Sequence, residues 1–181
     1  MGLAMTDTFK YFSRLFREQV GLLPSEYRQM KRLGEAVKAM AALSFTLPGL
    51  PLIYSGQEGG LDHRLQFFEK DEISWDDLSM QDFYRELADL KHDNPALWNG
   101  KDGGPFHALE ATEEQLLAFE RTQNGNVVIV IMNLSAENVN GVVSMDSVAG
   151  TYHAYPEGTE MSLSEEHSVE LGPWEYRIYT K

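Results

Sequence analysis

The sequence predicts a mixed fold: the incomplete end of a (β/α)8 barrel, followed by an antiparallel β-sandwich. Three observations predict it. Two helix-period stretches flank one short apolar run within the first hundred residues. A cluster of Asn, Gly, Asp and Pro falls at 99–105. Beyond that cluster, short β-branched segments are separated by turn residues, as in an all-β module.

The elements follow in order. Residues 6–20 read as an amphipathic helix, with Thr6 as N-cap and Phe9, Phe12 and Phe16 spaced by three and four. Such an aromatic stripe is expected to pack on a core. The opposite face has too few basic residues for a membrane-surface helix. Gly and Pro at 21–25 break the chain. A second helix is expected from 26 to 44, with Leu33, Val37, Met40 and Leu43 on one face, ended by Pro48 and Gly49.

The run 51–56 is apolar and bounded by Pro51 and Gly56, so it reads as a buried strand of the parallel-sheet kind. The stretch 57–79 is long for a plain connection, and such loops usually carry function or extra packing. Ser79 and Asp82 have the spacing of an acidic capping box, and Phe83, Leu87 and Leu90 mark the helix that follows. Asn94 and Pro95 close it.

Past the 99–105 cluster, 116–121 and 126–134 flank the turn residues Asn124 and Gly125, which predict a hairpin. The second of these strands is apolar at consecutive positions, so it is expected at the centre of a sheet. Further strands are expected near 139–145, 150–155, 161–163 and 168–179. This divides the chain into residues 1–25, an N-terminal helix, residues 26–100, the barrel part, and residues 104–181, the sandwich.

Composition narrows the function classes. The net charge is −13 with 43% hydrophobic residues. Nucleic acid is therefore a poor partner, because phosphate binding relies on clustered Lys and Arg. Carbohydrate is neutral, so the charge does not argue against it. With no cysteine, disulfides and thiolate chemistry are excluded. No apolar run approaches the roughly 20 residues of a membrane span. The first ten residues lack the layout of a signal peptide, so as written the chain reads as soluble and cytoplasmic, with no membrane partner. Neither a metal nor a cofactor is expected: the five histidines form no ligand spacing, and no phosphate-binding loop or nucleophile elbow occurs. Asn133, Leu134 and Ser135 match a glycosylation sequon, but a central strand is no place for a glycan.

Thr46, Leu47, Pro48, Gly49 and Pro51, then Ile53 and Tyr54, then Gly56, Gln57 and Glu58 form a phrase. It resembles the segment that ends the barrel in glycoside hydrolase family 13, the α-amylase family. The continuation through Phe67, Phe68, Ile73, Trp75 and Phe83 is similar too, as is the terminal phrase Pro173, Trp174 and Tyr176. The resemblance covers roughly residues 25–181. It implies that 51–56 is the eighth barrel strand and 79–91 the eighth outer helix. It further implies a carbohydrate-metabolising hydrolase, a glycosidase acting on α-glucans such as starch and maltodextrin.

Glycosidic hydrolysis takes two flanking carboxyl groups, about 5–5.5 Å apart in retaining enzymes. In family 13 these lie upstream of anything this chain matches. A third carboxylate follows an Asn-His pair that would fall near 15–25, and no Asn-His-Asp occurs anywhere in the 181 residues. No catalytic residue is therefore assigned. Substrate-binding candidates are Tyr54, Gln57, Glu58 and Trp75, the aromatic pair because ring faces suit the C–H faces of glucose units. Trp98, Trp174, Tyr152 and Tyr155 could stack in the same way but are expected to pack. For Glu58 the favoured reading is structural, as an acid bonding loop backbone or pairing with a basic residue such as Arg64. The acidic groups Glu69, Asp71 and Glu72, and Asp76 and Asp77, read as a solvated loop.

Two functional readings follow. One is an amylase-type C-terminal portion, inactive alone and prone to self-association through its open barrel edge. The other is a non-catalytic module that binds α-glucan or malto-oligosaccharide, its N-terminal helices closing that edge.

Overall fold

A computed structural model describes residues 34–181 apart from positions 62 and 67. The helix expected at 6–20, the break after it and the start of the second helix lie outside the described residues.

The second helix, α1, runs over Glu35–Thr46. Its buried face is Ala36, Ala39, Ala42, Leu43, Phe45 and Thr46, while Val37 and Met40 are only partly buried. The packed face is thus turned toward the alanines, which let a neighbour approach closely. The last turn closes with Leu47 N–H donating to Leu43 O before Pro48.

Helix α2 covers Gln81–Asp93 and buries Tyr84, Leu87 and Leu90. The expected capping box does not form. Met80 stands at the N-cap without a side-chain cap, and Asp77 Oδ1 instead accepts from Ser79 N–H at 2.8 Å. The carboxylate two residues upstream gives a tighter local loop than Ser79 and Asp82 could.

Eight strands follow: β1 (Phe106–Leu109), β2 (Leu116–Gln123), β3 (Asn126–Asn133), β4 (Val139–Ser144), β5 (Gly150–Tyr155), β6 (Thr159–Leu163), β7 (Glu166–Leu171) and β8 (Tyr176–Thr180). Six form an antiparallel sheet in the order β1-β2-β3-β8-β5-β6, and β4 and β7 form a two-stranded ribbon. The β2–β3 turn places Asn124 at φ 52° and Gly125 at φ 84°. Two successive left-handed residues match the right-handed twist of a hairpin, which is why Asn-Gly occupies it.

The large sheet is covered on both faces. Leu117, Phe119, Val128, Val130, Met132 and Ile178 pack against α1 and α2. Leu116, Ala118, Ile129, Ile131, Tyr152 and Tyr179 pack against Val139, Val143, Val169 and Leu171 of the ribbon. A strand reached from both sides has no polar face, so β3 is apolar at consecutive positions.

The strand expected at 168–179 is two strands. Between β7 and β8, Trp174 takes φ 57° and Gly172 N–H donates to Glu175 Oε2 at 2.8 Å. This tight turn sends the chain from the ribbon into the large sheet. β1 had no separate sequence signal.

The expected strand at 51–56 is also corrected. Among the described residues the segment is unpaired, with Leu50 85% and Leu52 75% exposed. A parallel strand exists only through neighbours on its flanks, and no described residue supplies one.

Candidate functional site

Gly56 starts the site. Its φ of 93° turns the chain out of 51–55 into a 3-10 turn at Gln57–Gly59. A Cβ there would stand 3.0 Å from both Ile73 and Leu61, so the glycine also lets those side chains close over the turn.

Gln57 Oε1 accepts from Tyr54 N–H at 2.6 Å, while Gln57 N–H donates to Tyr54 O at 3.0 Å. The reciprocal pair fixes the exit from 51–55 and leaves the Tyr54 side chain 41% exposed. Gln57 thus uses its carbonyl on the turn itself.

Glu58 follows, against α2. Its Oε2 is buried without a hydrogen-bond partner among the described residues, and no ion pair joins it to Arg64. Loss of solvation at that oxygen is unfavourable unless a donor arrives. Burial, and then the Glu58 charge, push the Tyr84 hydroxyl up to about 12, so Tyr84 stays a neutral phenol.

Trp75 is 49% exposed. Its Cε3 would lie 3.5 Å from a Cβ built on Gly59, so the indole rests on that glycine. The four sequence candidates are thus assembled: Tyr54, Gln57 and Glu58 share one turn, and Trp75 packs at its end. The exposed phenol and indole offer ring faces that can stack on a polyhydroxylated ligand, whereas the buried Glu58 oxygen is out of such a ligand's reach. The turn holds one carboxylate, which does not make the pair that glycoside cleavage requires.

The remaining aromatics have internal work. Trp98 Nε1 donates to His92 O at 2.8 Å, Tyr152 Oη to Val148 O at 2.6 Å and Tyr155 Oη to Glu86 O at 2.6 Å. Trp174 packs on the helical core. In the acidic loop, Glu69, Glu72, Asp76 and Asp77 are exposed, whereas half-buried Asp71 accepts from Gln66 N–H at 2.9 Å. Among the described residues no three His, Asp or Glu side chains stand together as a metal site, and no helix is long and apolar enough to cross a membrane.

The sequence reading passed over one buried cationic seam. Arg121, on β2, is 1% exposed. Its Nε and a terminal nitrogen donate to Gly104 O at 3.0 and 2.9 Å, and its guanidinium also reaches Thr46 O at 3.2 Å, Leu97 O at 3.3 Å and Trp98 O at 2.8 Å. Lys91 joins it, donating to Phe45 O at 3.2 Å and Leu97 O at 2.8 Å. Burial lowers Arg121 to about 10, and burial followed by the Arg121 charge lowers Lys91 to about 8. The signal was present: Arg121 follows Leu117 and Phe119 at period two, on the face that meets the helices.

Comparison with known proteins adds a family. Residues 106–178 match the family described as Maltogenic Amylase, C-terminal domain. The α-amylase MalA of Haloarcula japonica is 34% identical over 127 residues, spanning 65% of this chain and 18% of that protein. A β/α-amylase of Paenibacillus polymyxa is 27% identical over 156 residues, spanning 78% of this chain and 12% of that protein. The chain therefore spans less than a fifth of the length of these relatives. Among solved structures, a maltogenic α-amylase of Thermotoga neapolitana, AmyB, superposes with TM-score 0.69 at 16% identity, over 82% of this chain and 37% of that one. AmyP in complex with maltose gives TM-score 0.64 at 17% identity, over 81% of this chain and 34% of that one. Residues 106–178 are thus a maltogenic-amylase C-terminal domain, and the chain is similar to the C-terminal region of α-amylase-family proteins.

Proposed function

We propose that this chain is the non-catalytic C-terminal portion of an α-amylase-type hydrolase of starch or maltodextrin, and that alone it cleaves nothing. The observation that carries the reading is the maltogenic-amylase C-terminal domain at 106–178, preceded by a barrel-ending phrase but by no Asn-His-Asp. In the longer enzyme, 51–56 would become the eighth barrel strand once neighbouring strands flank it. Its exposed Leu50 and Leu52 would then be covered. Without those strands, the same apolar surface is expected to drive self-association. Incubation of the purified chain with a chromogenic malto-oligosaccharide tests the first claim. No release above buffer is expected, whereas turnover abolished by a single carboxylate substitution would overturn it. Size-exclusion chromatography tests the second, and a sharp monomer peak at all concentrations counts against it.

A second reading, α-glucan binding, is favoured by one observation: Trp75 and Tyr54 are half-exposed at the same turn. Calorimetric titration with maltoheptaose is expected to give binding that Trp75→Ala removes. No heat at millimolar sugar would sink it.

A further inference from the structure

Most of the described lysines are answered by a carboxylate. Lys38 pairs with Glu35, Lys70 with Glu72 and Lys101 with Asp102, all at the surface. Lys181 lies over the Tyr152 ring, 5.5 Å from its centroid. Lys91 differs. It is partly buried near the end of α2, and among the described residues no carboxylate forms an ion pair with it. Its charged neighbour is another cation. Lys91 and the Arg121 guanidinium both donate to Leu97 O, at 2.8 and 3.3 Å, and Arg121 has no carboxylate partner either. His92 and Asp93, next along α2, pair with each other. A lysine withdrawn from water beside a second cation is the setting that activates an amine as a nucleophile.

The donor count agrees. An ammonium carries three N–H groups, whereas the free amine carries two and a lone pair. Lys91 Nζ meets two carbonyls, Phe45 O at 3.2 Å and Leu97 O at 2.8 Å. These match both N–H groups of the free amine and leave its lone pair unclaimed. Burial, and then the Arg121 charge, lower Lys91 to about 8 in keeping with this. An amide formed at the same nitrogen would keep one N–H for Phe45 O, while Arg121 would still answer Leu97 O. No carbonyl would be orphaned, and the repulsion between the two cations would end. The same change at Lys38, Lys70 or Lys101 would instead deprive a carboxylate of its cation.

We propose that Lys91 is a modification site, a nucleophilic amine that takes up small activated acyl groups ahead of the other described lysines. The Nζ lone pair attacks the acyl carbon. The bond from that carbon to its leaving group breaks, the leaving group departs with the electron pair, and the surplus proton on nitrogen passes to solvent. The product is a neutral amide beside Arg121. The site is separate from the turn that carries Tyr54 and Trp75 and does not depend on glucan binding.

Competitive labelling of the full chain tests it. Trace isotopically labelled acetic anhydride is added to the folded protein, which is then unfolded and acetylated completely with unlabelled reagent. Peptide mass spectrometry reads the labelled fraction at each lysine. At pH 8 an ordinary lysine is about 0.4% free amine. Lys91 is expected to be about half free, with part of that gain lost to weaker basicity and to burial, so it should label about 10-fold faster than Lys38 and Lys101. Its rate should level off above about pH 9, while theirs climb through about pH 10. A Lys91 rate at or below theirs at pH 8 overturns the proposal, as does a pH profile parallel to theirs. In urea beyond the unfolding transition all lysines should label alike, and a Lys91 advantage that survives there also overturns it, because it would owe nothing to the fold. Acetyl phosphate and an acetyl thioester, offered separately, distinguish the donor: first acetylation at Lys91 by either supports the proposal, and first acetylation elsewhere by both refutes it.

Discussion

Arg121→Met is the substitution that should tell most about how this chain holds together. The guanidinium is 1% exposed and donates to four carbonyls, those of Thr46, Leu97, Trp98 and Gly104. Leu97 O keeps Lys91 as a donor, so methionine orphans three. Each buried acceptor left unsatisfied costs about 1–3 kcal/mol. Removing a buried cation returns its desolvation penalty, several kcal/mol before relaxation, and methionine fills much of the volume. The difference is a net loss of about 3 kcal/mol. Arg121→Lys, with one nitrogen to share among the carbonyls, should lose about 2 kcal/mol. Urea unfolding of the full chain followed by far-ultraviolet circular dichroism reads both, as a lower midpoint at unchanged slope. An Arg121→Met protein within about 0.5 kcal/mol of the parent would refute the reasoning, since it would mean the carbonyls find other donors at no cost.

Three further outcomes follow from the same geometry. Lys91 is lowered to about 8, so the unfolded chain binds its proton more tightly and its contribution to stability rises from about pH 8 toward pH 10.5. Tyr84 and Tyr176, each raised to about 12, contribute stability that is whole below pH 10 and lost toward pH 12. Lys91→Met should flatten the rise and spare the later fall, as urea midpoints across pH 7–11 will show. Gly103→Ala would set a Cβ 1.7 Å from Trp98 O, a backbone atom that cannot step aside, and should cost about 3 kcal/mol or more in thermal unfolding. Asn133 is fully buried and donates to Glu137 O at 2.6 Å and Gly172 O at 2.8 Å while its Oδ1 accepts from Ser135 N–H at 2.9 Å. Asn133→Ala should therefore cost about 3 kcal/mol, and mass spectrometry of protein made in a glycosylating host should find that side chain bare.

The sequence was most readable where one local rule decided the outcome. Asn124 and Gly125 specify their hairpin because few other residues tolerate two left-handed φ values in succession. β3 could be placed centrally because only a strand covered on both faces is apolar at every position from Val127 to Met132. Reading failed where distant partners decide. Whether 51–56 is a strand depends on neighbours that no described residue provides. The 168–179 segment was read as continuous although Gly172 and Pro173 mark a turn within it; that turn is closed locally by Glu175 on Gly172 and pinned by Trp174 N–H to Ser135 O. At the candidate site, residue types could be nominated from the sequence. That Gln57 would spend its carbonyl on Tyr54 and that Glu58 would lack a donor were matters of three-dimensional placement. Arg121 was visible as a charge at a core-facing position, but its four acceptors come from three separate stretches of chain.

The family match begins at residue 106, whereas the seam runs across it. Gly104 N–H donates to Ala96 O at 3.0 Å, and Arg121 draws the end of α1 and the stretch after α2 onto β2. A protein engineer who excised 106–181 as a portable module would strip one whole face of the large sheet. Leu117, Phe119, Val130, Met132 and Ile178 would be left bare beside a guanidinium with no carbonyls to hold. The smallest piece worth grafting onto another enzyme therefore starts upstream of α1, and shuffling experiments that cut at the edge of the sequence family would sever a single cooperative unit.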